Sequence, residues 1–219
     1  MRIGVLALQG AVQDHGPPLH RLGAELVEVR HAEDLDNLDG FILPGGESTV
    51  MGRYLREYAL IEPIRALASS EMPIWGLCAG AIILCTEVDG HEGILGLIPA
   101  QAKRNAYGRQ SASFEEEIDT EDGPFYGVFI RAPRLCPLDG TEVIGRRRSA
   151  TRAIGEAVFL RKGNILAASF HPELTGDDRL HARFLSLAAK RREPQCSALL
   201  MPSIEALGLI NHDRLMPDH

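Results

Sequence analysis

Three short segments hold residue types that could do chemistry together. The first is Gly76-Leu-Cys-Ala-Gly80, which ends one apolar run and opens another. A Gly-x-nucleophile-x-Gly turn between strand and helix projects its central side chain outward, and small flanking residues let so tight a turn form. A thiol at a helix N-terminus is also more readily ionised, so Cys78 is the candidate nucleophile. The second segment is Ser169-Phe-His-Pro-Glu-Leu174. Pro172 drives His171 into an extended conformation, where residues i and i+2 face one side, so His171 and Glu173 are expected to share a site. A thiol nucleophile needs a base, and the base needs a group that fixes its tautomer; an imidazole beside a carboxylate supplies both. The third is Leu43-Pro-Gly-Gly-Glu-Ser-Thr49, whose two glycines let backbone N–H groups turn toward a developing oxyanion. Ser48 and Thr49 read as helix N-caps, and the loop lacks the Gly-Lys-Ser/Thr ending of a phosphate loop. Cys85, seven residues past Cys78 on the same helical face, reads as a buried structural cysteine.

Elements must bring these segments together, and the apolar pattern says which. Ile3–Leu8 is a continuous apolar run ending in a Gln-Gly turn, the signature of a strand buried on both faces. Val12, His15, Leu19 and Leu22 then recur at helical spacing, with Gly23 where a helix would stop. Strands follow at Glu25–Val29, Gly40–Pro44 and Pro73–Gly76, with helical spacing in Met51–Leu60 and Ile61–Ala68. Strand and helix alternating to about residue 86 predict a doubly wound, mostly parallel α/β sheet. From residue 93 to about 170 the chain turns to short β-like runs: Phe125–Ile130, Glu142–Ile144, Ala157–Leu160 and Ile165–Phe170. They are expected to extend the same sheet in mixed or antiparallel fashion, with an amphipathic helix over Asp177–Arg192 closing the fold. Residues 1–192 read as one domain, and 193–219 as a tail whose role the sequence leaves open.

The chain has 219 residues, is 45% hydrophobic and carries a formal charge of −7, so a fold-wide basic surface for nucleic acid is not expected. Its longest uncharged apolar run, Ile74–Cys85, is too short for a bilayer span, and the opening residues lack a signal-peptide pattern. Four cysteines without metal-like spacing point to a reducing, cytoplasmic setting, with no metal and no cofactor expected.

Taken together, GLCAG, SFHPE and PGGES resemble the class I, triad-type glutamine amidotransferases. Residues 3–14 (IGVLALQGAVQD), 43–49 (LPGGEST), 104–110 (RNAYGRQ), 127–133 (GVFIRAP) and 169–176 (SFHPELTG) narrow the match. They resemble the family of glutaminase subunits of pyridoxal 5′-phosphate synthase, over about residues 1–190. The resemblance implies hydrolysis of L-glutamine to L-glutamate and ammonia. The ammonia would pass to a separate synthase subunit that uses ribose 5-phosphate and glyceraldehyde 3-phosphate, in a hetero-oligomeric complex. Carried over by motif, Cys78 is the nucleophile, His171 the base and Glu173 its orienting group, with the Gly46 and Ala79 backbones as oxyanion hole. Gly46, Glu47, Ser48, Arg104, Ile130 and Arg131 match the positions that hold glutamine, while Arg109 reads as structural. The basic stretch Arg146–Arg152 reads as a solvated turn. Two other readings compete: a glutaminase of histidine or purine biosynthesis, against which LQGAV, RNAYGRQ and FIRAP argue, and a non-catalytic regulator, which has no need of all three triad residues.

Overall fold

Strand β1 (Arg2–Leu6) is the apolar run after Met1, and its Ile3, Val5 and Leu6 are fully buried. The computed structural model describes residues 1–106, 113–148 and 155–192. Chain order continues with helix α1 (Gly16–Arg21), β2 (Glu25–Val29), β3 (Gly40–Leu43), α2 (Ser48–Glu57), α3 (Ile61–Ser69), β4 (Ile74–Leu77) and α4 (Ala79–Leu84). Then come β5 (Cys85–Val88), β6 (His91–Glu92), β7 (Ile98–Lys103), β8 (Ser113–Thr120), β9 (Gly123–Ile130) and β10 (Arg134–Pro137). The last described elements are β11 (Glu142–Arg147), β12 (Glu156–Lys162), β13 (Ile165–Ala168) and α5 (Arg179–Arg192).

Nine strands form one sheet in the order β2-β1-β3-β4-β13-β12-β11-β8-β9. The pairs from β2 to β13 are parallel, and those from β13 to β9 are antiparallel. Side chains alternate across the parallel half, as the pleat requires. Phe41, Leu43 and Ile74 join one core with Met51 and Leu55 of α2, Ile64 of α3 and the apolar residues of α4. Ile42, Trp75 and Leu77 join the other core, with Leu19 of α1 and Leu180, Phe184 and Ala188 of α5. Helices therefore cover both faces, which is the doubly wound arrangement expected of strands apolar on both sides.

The details depart from the sequence expectations at identifiable places. The stretch from Val12 to Leu22 is two pieces, a 3-10 turn over Gln13–His15 and then α1. Pro17 and Pro18 in the first turn of α1 lack the N–H groups that would continue a helix from upstream. A second sheet of four strands, β10-β7-β5-β6, is also present, and apolar pattern alone does not reveal it because three of its strands are four residues or shorter. Strand β8 escapes the pattern too: half of its sequence SFEEEIDT is acidic, yet it pairs with β9 along its whole length.

Arg146 and Arg147 are not in a solvated turn but in strand β11. Arg147 lies 3.3 Å from Glu116 and 3.5 Å from Glu156, with its guanidinium 4.9 Å from the centre of the Phe114 ring. Residues 149–152 of that stretch, Arg109 and the 193–219 tail lie outside the described residues. Among the described residues no helix is long and apolar enough to cross a membrane.

Helix α4 packs on β3 through bare backbone. A Cβ on Gly80 would lie 2.0 Å from the Leu43 carbonyl oxygen. Gly80→Ala is therefore expected to cost about 3 kcal/mol, since two packed backbones must move apart. A urea titration reads this as a lower midpoint at unchanged slope. An unchanged midpoint would show that α4 can shift freely on the sheet.

Candidate active site

The strand order reverses at β1, whose neighbours β2 and β3 lead away in opposite directions. In open parallel sheets such a reversal leaves a crevice at the carboxyl ends of the strands. Four chain segments leave the sheet at that edge: Gln9 after β1, Gly45–Ser48 after β3, Cys78 after β4 and His171 after β13. Four segments far apart in sequence are thus brought together by one sheet edge.

Cys78 stands between β4 and α4 at φ 47° and ψ −101°, a region that non-glycine residues rarely occupy. Its N–H donates to the Ala168 carbonyl of β13 at 2.8 Å, which ties the strained turn to the sheet. The thiol lies 3.7 Å from the Ile130 carbonyl oxygen. Cys85, by contrast, is not on the same helix, because α4 ends at Leu84 and Cys85 begins β5. It is fully buried, and burial pushes its thiol up to about 12, so it is chemically inert as the structural reading expects.

His171 and Glu173 do meet, but not by extended alternation. Pro172–Leu174 form a 3-10 turn, and that turn folds the carboxylate back so that Glu173 Oε1 lies 2.7 Å from His171 Nδ1. The proline favours the start of a helical turn as much as it restrains the residue before it. Both side chains are buried, His171 at 8% exposure and Glu173 at 0%. Burial is the largest influence on His171 and lowers its pKa, but hydrogen bonds to Cys78 and Glu173, with the attraction of both, outweigh it and push it up to about 10. For Glu173, burial opposes ionisation, and the hydrogen bond from His171 together with the nearby histidines holds it below the usual carboxylate range. A charged imidazolium held by a carboxylate is the resting arrangement at neutral pH.

A cleft of about 350 Å³ opens above this pair. Its lining includes Gly46, Glu47, Ser48, Cys78, Ala79, Arg104, Ile130, Arg131 and His171, and only Glu173 of the sequence candidates stands behind it. Neither Ser48 nor Thr49 caps α2. Glu47 occupies the cap position without a side-chain cap bond, Ser48 is the first helical residue and is buried against the cleft, and Thr49 donates to Glu47 at 2.9 Å. The cap expectation fails because the helix starts one residue early. Arg104 reaches the cleft from the end of β7 while its Nε donates to Asp89 at 2.6 Å. Arg131 enters from the end of β9 with a φ of 45°, a second non-glycine residue in a left-handed conformation beside the thiol.

Further wall residues lie inside segments 3–14 and 104–110, whose motifs do not single them out. Asp14 and Asn105 line the cleft. Gln9 supports its floor, its Oε1 accepting from the Glu47 N–H at 2.8 Å. Gln9 lies within the LQGAV segment, so the signal was present, though nothing local says what the amide bonds. Among the described residues no group of three or more His, Cys, Asp or Glu side chains could hold a metal ion.

A thiol elbow facing a His-Glu pair at the switch point of an α/β sheet is the layout of an amidotransferase. Solved structures agree on the fold. A crystal structure described as a glutamine amidotransferase superposes with a TM-score of 0.79 at 45% identity, covering 85% of this chain and 98% of that one. The PurLQS structure from Thermotoga maritima, at 18% identity, shares the fold with a TM-score of 0.63 over 87% of this chain and 96% of that one. The chain belongs to the SNO glutamine amidotransferase family, whose model matches residues 5–190. It is similar to the pyridoxal 5′-phosphate synthase subunit PdxT of Thermus thermophilus, 48% identical over 85% of this chain and 97% of the relative. The PdxT of Listeria innocua is 46% identical over 84% of this chain and 97% of the relative.

Proposed function

We propose that this chain hydrolyses L-glutamine to L-glutamate and ammonia through Cys78, His171 and Glu173. The ammonia goes to the synthase subunit that makes pyridoxal 5′-phosphate from ribose 5-phosphate and glyceraldehyde 3-phosphate. The observation that carries the chemistry is the strained Cys78 elbow lining one cleft with His171, whose ring is held by the buried Glu173 carboxylate. The pathway rests on the likeness to the PdxT relatives, whose names place them in that synthase. The active unit is residues 1–192 with 193–219 appended, and a free thiol nucleophile suits a cytoplasmic, reducing setting.

Glutamine lies with its side-chain amide over Cys78 and its backbone end toward Arg104 and Arg131, where its carboxylate meets cationic groups and its ammonium meets carboxylate or carbonyl oxygens. The thiolate attacks the amide carbon, and the oxyanion is received by the Gly46 and Ala79 N–H groups. His171 gives its proton to the departing nitrogen, so ammonia leaves and a γ-glutamyl thioester remains. The neutral imidazole then takes a proton from water, whose oxygen attacks the thioester and releases glutamate. Glu173 stays ionised throughout and holds the ring in one tautomer.

Free ammonia is largely protonated at neutral pH and is then no nucleophile, so an enclosed path to a bound partner is favoured. The Gly45 carbonyl oxygen accepts from the Ala11 N–H at 3.0 Å, which fixes the Gly45–Gly46 peptide in one orientation. Partner binding repositions that peptide. Glutamate release by the purified chain is expected to be low alone and to rise at least about tenfold with a pyridoxal 5′-phosphate synthase subunit, the size of one preorganised oxyanion donor or less. Equal rates with and without that subunit would rule out the coupling, and stimulation by a different amidotransferase partner would reassign the pathway.

A further inference from the structure

Behind Glu173 lies a polar cluster that the reaction as described does not use. His15 ends the 3-10 turn after β1, and His181 sits on α5; neither has any solvent exposure. Their rings face each other with His15 Nδ1 3.4 Å from His181 Nε2, and His181 packs edge-on against Trp75 at 5.1 Å between centroids. Three buried polar atoms of this group have no hydrogen-bond partner among the described residues: Glu173 Oε2, His15 Nε2 and His181 Nδ1. Burying an imidazole N–H without a partner is costly, so space filling alone is better served by a hydrocarbon side chain.

The hydrogen-bonding roles follow from what each atom can do. A carboxylate only accepts, so the ring atom that serves Glu173 Oε2 must be an N–H. If His15 carries its proton on Nε2, its Nδ1 is an acceptor, and the contact at 3.4 Å requires His181 Nε2 to donate. His181 Nδ1 is then a bare lone pair, the cheapest atom of the three to leave unpaired against Trp75. One tautomer of each ring thus accounts for the His15–His181 contact and leaves His15 Nε2–H free to donate toward Glu173.

We propose that His15, set in its tautomer by His181, is a positioning residue for glutamine hydrolysis: its Nε2–H serves the second oxygen of Glu173 across one bridging water, and holds that carboxylate aimed at His171. The proposal rests on the triad reading given above. Burial lowers the pKa of both rings, His181 to about 4, so both are neutral donors at neutral pH. Glu173, His171 and Asp14 are the titratable groups that act on His15, and Glu173, Asp178, Arg21 and the His15 ring itself those that act on His181. Among the described residues only Glu173 of the carboxylates is both fully buried and short of a donor.

The test is a set of variants assayed as the complex with the synthase subunit, with kcat, KM and the pH profile of each. His15→Leu is expected to lower kcat about ten- to thirtyfold at unchanged KM, the loss of one hydrogen bond to a charged group. The acid limb of its profile moves to higher pH, because Glu173 without its donor protonates more easily. His15→Gln, whose amide nitrogen takes the place of Nε2, recovers most of the rate. His15→Asn, which presents its amide at the Nδ1 position, does not, and it decides the matter if the Leu variant fails to fold. Wild-type kcat and pH profile in His15→Asn or His15→Leu would overturn the proposal, as would equal losses in the Gln and Asn variants. Cys78→Ala run alongside separates the two levels: hydrolysis surviving in it removes the triad reading itself, whereas an inactive Cys78→Ala beside an unaffected His15 series removes only the role of His15.

Discussion

Cys78→Ala is expected to lower kcat for glutamine hydrolysis by a factor on the order of 10⁶, to the background of the assay, because the nucleophile of a triad acts as a unit with its base. The variant should bind glutamine no worse than the native protein, since the cleft walls are untouched. Alanine removes one sulfur from the elbow while Gly76, Gly80 and the bond from residue 78 N–H to Ala168 remain. Quenching the native protein with acid during turnover should trap a γ-glutamyl adduct of 129 mass units or so on the peptide carrying Cys78, as thioester chemistry requires. An adduct on Cys85 or Cys136 instead would move the nucleophile. Cys85 has no access to the cleft, being fully buried, so Cys85→Ala should leave the rate intact.

Glu173→Gln carries the second large effect, a loss in kcat of about 10³–10⁴-fold with the thiol still in place. The amide nitrogen of Gln can donate to His171 Nδ1, which selects the wrong tautomer, and the negative charge that helps raise the imidazole is gone. With that support removed, the imidazole pKa falls, which a histidine proton-resonance titration reads directly. Stability follows the same groups. His171, raised to about 10, contributes stability in full below its unfolded value and loses it as the pH climbs through about 10. Glu173, lowered, contributes above its unfolded value and loses its share as the pH falls through its depressed native value. The native protein therefore keeps the ion pair across neutral pH, and Glu173→Gln should flatten both limbs of its Tm–pH curve. An unchanged curve and an unchanged imidazole titration would mean that Glu173 does not set the charge of His171.

Much of this architecture is written locally. Ile3–Leu6, Phe41–Leu43, Ile74–Leu77 and Ile165–Ala168 are apolar on both faces, and a strand buried on both sides must be apolar without alternation. The Cys78 elbow is legible for a similar reason, since Gly76, Ala79 and Gly80 are the small residues that a tight strand-to-helix turn needs. The acidic strand β8 and the half-buried Arg147 are not legible. Their polar side chains are neutralised by partners far away in the chain, Glu116 and Glu156 for Arg147, and no local window contains those partners.

The site divides along the same line. Sequence by itself determined which residues stand ready to react: a thiol on a glycine-flanked turn, an imidazole two residues from a carboxylate, and a glycine pair before a helix. Only the tertiary structure decided how they meet. It replaced extended alternation with a 3-10 turn to bring Glu173 to His171, seated Ser48 in the cleft wall instead of on a cap, and turned His15 from a member of an apolar stripe into the buried neighbour of His181. The physical reason is that residue identity sets what an atom can donate, accept or attack, whereas distance and burial set whether it does. Those two quantities come from the edge of a sheet that gathers β1, β3, β4 and β13 from a stretch of chain running from Arg2 to Ala168.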